Sequence, residues 1–198
     1  MAGILTNLQR TVVAGFILAA VLFIIYFSQQ GYSANDFGPF FFRWLHVLSG
    51  VMWIGLLWYF NFVQIPSMPK IPDEQKPAIG KVIAPAALYW FRHAAMATIV
   101  TGLILAWYNG YIVQAVTLGL VDGVAKHTAI GIGMWLGAIM WFNVWFVIWP
   151  NQQKALGLVE SSPEDKAKAA RTAMLFSRTN TLLSIPMLFA MVSAQNLY

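Results

Sequence analysis

Five long apolar runs dominate the chain, separated by short polar stretches. A helix crossing the hydrocarbon layer needs ~20 largely apolar residues, because ~30 Å is covered at ~1.5 Å per residue. Runs at residues 11–27, 40–65, 85–112, 128–150 and 172–194 meet that requirement. The second is interrupted only by Arg43, His46 and a few neutral polar groups, and the fifth carries Arg178, Asn180 and Pro186. Residues 113–124 are apolar but short and Gly-interrupted, which predicts a re-entrant or interfacial segment leading into the fourth span. The first run is longer than the ~7–15 residues of a secretory h-region, and no small-residue cleavage site follows it, so it reads as a retained span. The predicted fold is an all-α polytopic bundle of five transmembrane helices in a single membrane domain, 1–198.

The polar stretches carry their own signals. Ser161-Ser162-Pro163-Glu164-Asp165 is a helix start: a serine to cap, proline in the first turn, and acids facing the positive end of the helix dipole. Residues 166–171 should continue as helix into the fifth span. The Pro-rich segment 66–73 ends the second.

Composition agrees with the run lengths. The 198 residues are 59% hydrophobic and 10% charged, with mean hydropathy +0.65. A soluble domain is about 45–50% apolar and about 25% charged. The net charge of +5 is distributed rather than clustered. Arg10, Lys70, Lys76, Lys81, Lys154, Lys166, Lys168 and Arg171 fall on one side of the predicted topology, and Lys126 alone on the other. Basic residues in short loops stay cytoplasmic. This predicts a cytoplasmic N-terminus and an outward C-terminus. The charge is therefore a membrane-orientation signature, and no nucleic-acid partner is expected.

Several chemistries are excluded or weakened. The absence of cysteine rules out disulfides, thiolate metal sites, iron–sulfur clusters and c-type haem attachment. No P-loop, nucleophile elbow or carboxylate pair is present. All seven acids lie outside the spans, which weakens a proton-coupled transporter reading.

The three histidines lie inside spans or at their edge. Ionisable groups in membranes are rare and usually functional. Imidazole is the usual axial ligand of a b-type haem held between helices. His46, with Ser49 and Gly50 one turn on and Trp53 at i+7, has small neighbours that leave room for a macrocycle. Arg43, one turn outward on that face, could pair with a haem propionate or a headgroup phosphate. His127, with Gly131 and Met134 at i+4 and i+7, and His93 compete as the second ligand, and depth does not choose between them. The bland reading makes the glycines packing positions, with Gly133 and Gly137 a small-xxx-small pair, and the histidines hydrogen-bonded packing residues. Snorkelling to the headgroups is the reading for Arg92. Arg178, flanked by Ser177, Thr179, Asn180 and Thr181, suggests a lined cavity or interhelix hydrogen bonds.

Some motifs resemble a known family. Arg43-Trp44-Leu45-His46-Val47 with Trp53-Ile54-Gly55 resembles the second span of the membrane domain of bacterial urate hydroxylases, the urate oxidase N-terminal family. Asn143-Val144-Trp145 with Ile148-Trp149-Pro150-Asn151-Gln152, and Ser177-Arg178-Thr179-Asn180-Thr181 with Ser184-Ile185-Pro186, are similar to its later spans. The likeness runs from about Phe40 to the C-terminus. It implies a membrane redox protein with His46 as a haem ligand and with Arg43, Arg178 and Asn180 as motif residues. Full-length members carry a c-type cytochrome domain after the last span. This chain ends at Tyr198, so an electron acceptor is expected to be a separate cytochrome, soluble or membrane-bound, at the outer face.

The functional expectation is a b-haem electron-transfer subunit or a urate-hydroxylase-like membrane oxidoreductase in a bacterial inner membrane, within an oligomer or larger complex. The alternative is a non-redox subunit, assembly factor or transporter-like scaffold.

Overall fold

The computed structural model describes residues 2–31 and 33–198. Every regular element among them is helical. Five helices are long and apolar enough to cross a membrane, one for each run read from the sequence.

The chain resolves into two compact units, Met1–Phe40 and Phe41–Tyr198. The first holds a helical turn, Ala2–Leu5, and helix α1, Leu8–Gln30. Asn7 caps α1 by accepting the Arg10 N–H at 3.0 Å, and Gly31 ends it at φ 63°, a backbone conformation that costs glycine least. None of the apolar window of α1 is buried. A helix apolar on all sides and buried on none is suited to lipid, not water.

The second unit is a bundle of four long helices and one short one. Helix α2 runs Ala34–Trp58, crossing from the first unit, and continues through a π-helical stretch, Tyr59–Gln64, to Lys70. Helix α3, Ala84–Tyr108, is entered through Lys76–Ala78 and a second π-helical stretch, Ile79–Ile83. Helix α4 is short, Ile112–Val116. Helix α5, Ala125–Phe142, passes through a third π-helical stretch, Asn143–Ile148, into Trp149–Ala155. Helix α6, Pro163–Asn196, begins where the sequence predicts: Ser162 Oγ accepts the Asp165 N–H at 3.1 Å, with Glu164 and Asp165 in the first turn.

The core is built on α2, α3 and α5 by Trp53, Leu57, Phe91, Met140, Val144 and Ile148. Helix α6 reaches α5 mainly through small residues. Ala169, Ala173, Ser177, Asn180, Ser184, Met187, Ala190 and Ala194 are buried at three- and four-residue steps, one face of the helix, and all but Asn180 and Met187 are small. Lipid tails are as apolar as leucine, so close backbone approach, not hydrophobicity, holds such a seam.

The segment expected to be re-entrant or interfacial forms α4 and a return loop laid against the first two turns of α5. The contact is close: a Cβ on Gly131 would run into the carbonyl oxygen of Ala115, itself fully buried. Thr128 Oγ1 donates to the Leu118 carbonyl at 2.9 Å and Trp135 Nε1 to the Val116 carbonyl at 3.0 Å. The loop turns at Leu118, Gly119 and Gly123, all at positive φ. The Thr128 bond holds Leu118 in a region that non-glycine residues seldom adopt. Of the glycines read as packing positions, a Cβ on Gly133 would stand 3.2 Å from the Met191 side chain, whereas one on Gly137 would meet nothing within 4 Å.

Candidate functional site: three histidines in three settings

His46 lies half-buried on α2 against α3. Its Nδ1–H donates to the Thr98 carbonyl at 2.9 Å, and Thr101 Oγ1 is 3.5 Å from the same nitrogen. Thr98 Oγ1 donates to the Ala94 carbonyl, and Thr101 Oγ1 donates to the Ala97 carbonyl at 2.6 Å and more weakly to the Thr98 carbonyl at 3.2 Å, which His46 shares. The ring itself fits because residue 102 is glycine: a Cβ there would stand 2.8 Å from His46 Cε1 and 3.0 Å from Nδ1. Room for the imidazole thus comes from Gly102 across the seam. Gly50, expected to clear the space, faces the Thr98 methyl at 4.0 Å.

His93 is on α3 and exposed, with its Nδ1–H donated to the Tyr89 carbonyl one turn back at 2.7 Å. Its ring lies 4.2 Å from Tyr89 and 5.9 Å from Trp145. Thr98 and Gly102 follow His93 by five and nine residues, roughly 140° and 180° around a helix of 3.6 residues per turn. Helix α3 therefore stands between His46 and His93.

His127, at the start of α5, donates Nδ1–H to Asp122 Oδ2 at 2.6 Å, and its ring centroid is 6.0 Å from that of Tyr111. Asp122 also accepts the Val124 N–H at 3.1 Å. That backbone bond is the largest influence and holds the Asp122 carboxyl below the usual carboxylate range; desolvation opposes it, and the bond to His127 adds a smaller lowering. The same rim includes Arg43, whose Nη1 donates to Gln195 Oε1 at 3.3 Å and whose charge acts on Tyr111. Arg43 is thus tied to α6, one turn outward of His46.

All three imidazoles commit Nδ1 as a donor, which leaves the lone pair on Nε2. A metal-ligating histidine needs this protonation, with the other ring nitrogen fixed by a carbonyl or carboxylate. The donor chemistry at each ring therefore fits a haem iron. The arrangement does not bring the expected pair together within one chain. No group of three or more His, Asp or Glu among the described residues could hold a metal ion.

The arginines and asparagines separate as well. Arg92 lies with its guanidinium 3.6 Å over the Trp149 ring and 5.9 Å from Trp145, and its Nη1 is buried without a hydrogen bond. This is cation–π packing in place of the expected snorkelling. Arg178 and Thr179 face outward, whereas Ser177 and Asn180 face the bundle. Asn180 is fully buried and satisfied: its Nδ2 donates to the Met140 carbonyl at 2.9 Å and its Oδ1 accepts Asn143 Nδ2 at 2.8 Å. Asn61 Nδ2 donates to Ser177 Oγ at 2.8 Å, and Trp58 Nε1 to Ser184 Oγ at 3.0 Å. Both readings of that polar cluster find support: interhelix hydrogen bonds from Ser177 and Asn180, and a cavity that Ser177 lines.

Thr98, Gly102 and Asp122 were not singled out from sequence. A run of Thr98, Thr101 and Gly102 inside an apolar helix was the available signal for the first two.

Fold and polar interior together define a polytopic α-helical membrane protein whose spans are joined by interhelix hydrogen bonds. Residues 110–197 match the model of the urate oxidase N-terminal family, so the resemblance to that family holds over α4, α5 and α6. The matched segment includes Asn143, Arg178 and Asn180, and the Arg43–His46 motif lies outside it. No curated protein and no solved structure matches the chain.

Proposed function

We propose that this chain is a membrane redox subunit that holds a b-type haem through His46 Nε2. The observation that carries the reading is the Nδ1–H to Thr98 carbonyl bond at 2.9 Å, which fixes tautomer and ring direction at once. Gly102 supplies the space for that ring. When bound, the haem would accept and release single electrons. The chain's own part is to orient the imidazole, to keep it out of water between α2 and α3, and to place a cation, Arg43, one turn outward. His93 lies across α3 from His46 and His127 lies at the rim, so a haem held by His46 would take no further ligand from this chain's other histidines.

The family match supports a membrane protein related to urate oxidase systems, and it supports the architecture of α4–α6 more than the ligand. The basic residues Lys70, Lys76, Lys81, Lys154, Lys166, Lys168 and Arg171 at one end of the second unit, against Lys126 at the other, support a cytoplasmic placement of the loops after α2 and α5. His127 and Arg43 then face outward, where a separate cytochrome would dock.

The test is a dithionite-reduced minus oxidised spectrum of the detergent-purified protein from haem-replete cells, with pyridine haemochrome quantitation. About one b-type haem per chain or per pair of chains is expected. A colourless preparation would favour the scaffold reading, in which His46 is a packing residue satisfied by Thr98.

A further inference from the structure

A cavity of about 160 Å³ lies between α2, α3, α5 and α6, toward the basic end of the bundle. Its walls are largely apolar, with Phe60, Leu88, Phe91 and Ile148 among them, and Gln64, Gln152 and Ser177 supply polar groups. Gln64 Oε1 is buried and accepts no hydrogen bond. Asn61 Oδ1, whose amide nitrogen is committed to Ser177, is likewise buried and accepts none. A buried acceptor left unpaired costs about 1–3 kcal/mol. Gln64 brings one such acceptor to the cavity wall, and Asn61 lies one turn before it on the same helix.

The walls are also unusual in backbone. Phe60 and Gln64 belong to the π-helical stretch Tyr59–Gln64, Ile148 closes the stretch Asn143–Ile148, and the lining residue Ala84 directly follows Ile79–Ile83. A π-turn inserts a residue and re-aims the side chains after it, and such turns recur at functional sites. Two of them line this cavity, and the third ends one residue before its wall.

Volume, apolarity and unmet acceptors select the occupant. An apolar cavity of roughly 150 Å³ accommodates one benzene ring. The unpaired groups are carbonyl oxygens, so the ring must bring its own donors. We propose that this cavity binds a single-ring hydroquinone, with one hydroxyl donating to Gln64 Oε1 and the ring lying against Phe60 and Phe91. The site is separate from His46, and the proposal stands whether or not haem is bound there.

The experiment is saturation-transfer NMR titration of the full chain in detergent micelles. The probes are hydroquinone and para-xylene, which has nearly the same shape and no donors. Hydroquinone should bind saturably, and Gln64→Leu should weaken it by about tenfold while changing para-xylene by less than about twofold, as expected for one lost hydrogen bond. Ala155→Phe, which fills the cavity from its α5 wall, should abolish both; Ala155→Leu is the milder filling variant if the first does not fold. Non-saturable hydroquinone binding, equal loss of both probes in Gln64→Leu, or hydroquinone binding that survives the filling variant in folded protein would overturn the proposal. In each of those cases the cavity is a packing defect open to detergent or water.

Discussion

The α5–α6 seam and the α2–α3 seam both place polar side chains inside membrane-spanning helices, and they use them differently. At the first, Asn180 has both side-chain ends engaged, by Met140 and Asn143, at zero exposure. At the second, His46 spends one nitrogen on Thr98 and keeps the other. Full satisfaction marks polarity used for architecture. A single fixed hydrogen bond on a two-nitrogen ring marks polarity held ready for a ligand. The distinction matters in a membrane, where an interhelix hydrogen bond is worth only about 0.6 kcal/mol on average and up to about 1.7. A half-used histidine is a poor stabiliser, so its presence asks for another reason.

Substitutions can break this contrast, and the largest effect is expected at the architectural end. Gly131→Ala drives a methyl into the backbone oxygen of Ala115, which cannot rotate away. Overpacking of this kind costs about 1–3 kcal/mol and occasionally more. It should lower the detergent-phase melting temperature and expose residues 112–124 to limited proteolysis. Next, Asn180→Leu leaves the buried Asn143 side-chain amide unpaired, while the Met140 carbonyl keeps the Asn143 backbone N–H, and a loss of about 1–3 kcal/mol is expected from mild-to-harsh detergent unfolding. Asn143→Leu combined with it should cost less than the sum of the two single changes, because each already breaks the shared bond. Neither change should alter a haem spectrum.

Gly102→Ala sharpens the other side of the comparison. Its Cβ would meet the His46 ring at 2.8 Å, so the imidazole must turn off the Thr98 carbonyl. Haem content should fall several-fold with a stability change of only about 1 kcal/mol. The smallest effect is expected at the rim. The Asp122 carboxyl is held below its ordinary range by the Val124 N–H, with His127 adding to it. Its contribution is therefore present above the unfolded carboxylate pKa and is lost as pH falls through the lowered folded value. Asp122→Asn should lower the melting temperature slightly in the neutral region, leave it nearly unchanged once pH is below the folded carboxyl pKa, and so flatten the acid limb of a melting-temperature-versus-pH curve.

The two seams were unequally legible in the sequence. Run length alone gives the five helices, and Ser162-Pro163-Glu164-Asp165 gives the start of α6, because span length and capping are local properties. The buried face of α6 is also local: mostly small residues, with Asn180 and Met187 among them, recur at three- and four-residue steps from Ala169 to Ala194. The setting of His46 is not. Thr98 and Gly102 are more than fifty residues away in the chain, and only helix pairing brings them to the ring. The same limit applies to the choice of second ligand, since sequence depth leaves His93 and His127 equal, whereas the rotation of α3 and the Asp122 contact separate both from His46. The π-helical stretches carry no compositional mark: Asn143–Ile148 reads as ordinary apolar helix, and its extra residue appears only in the hydrogen-bond register.

The central claim is that one histidine of three is poised for a ligand between helices, and a single comparison tests it. His46→Ala, His93→Ala and His127→Ala are each purified from haem-replete cells, and the reduced-minus-oxidised spectrum is recorded against the parent protein. Loss of the b-type signal in His46→Ala alone, with the other two retaining it, is the predicted result. An unchanged spectrum in His46→Ala, or equal loss in all three, would contradict the account.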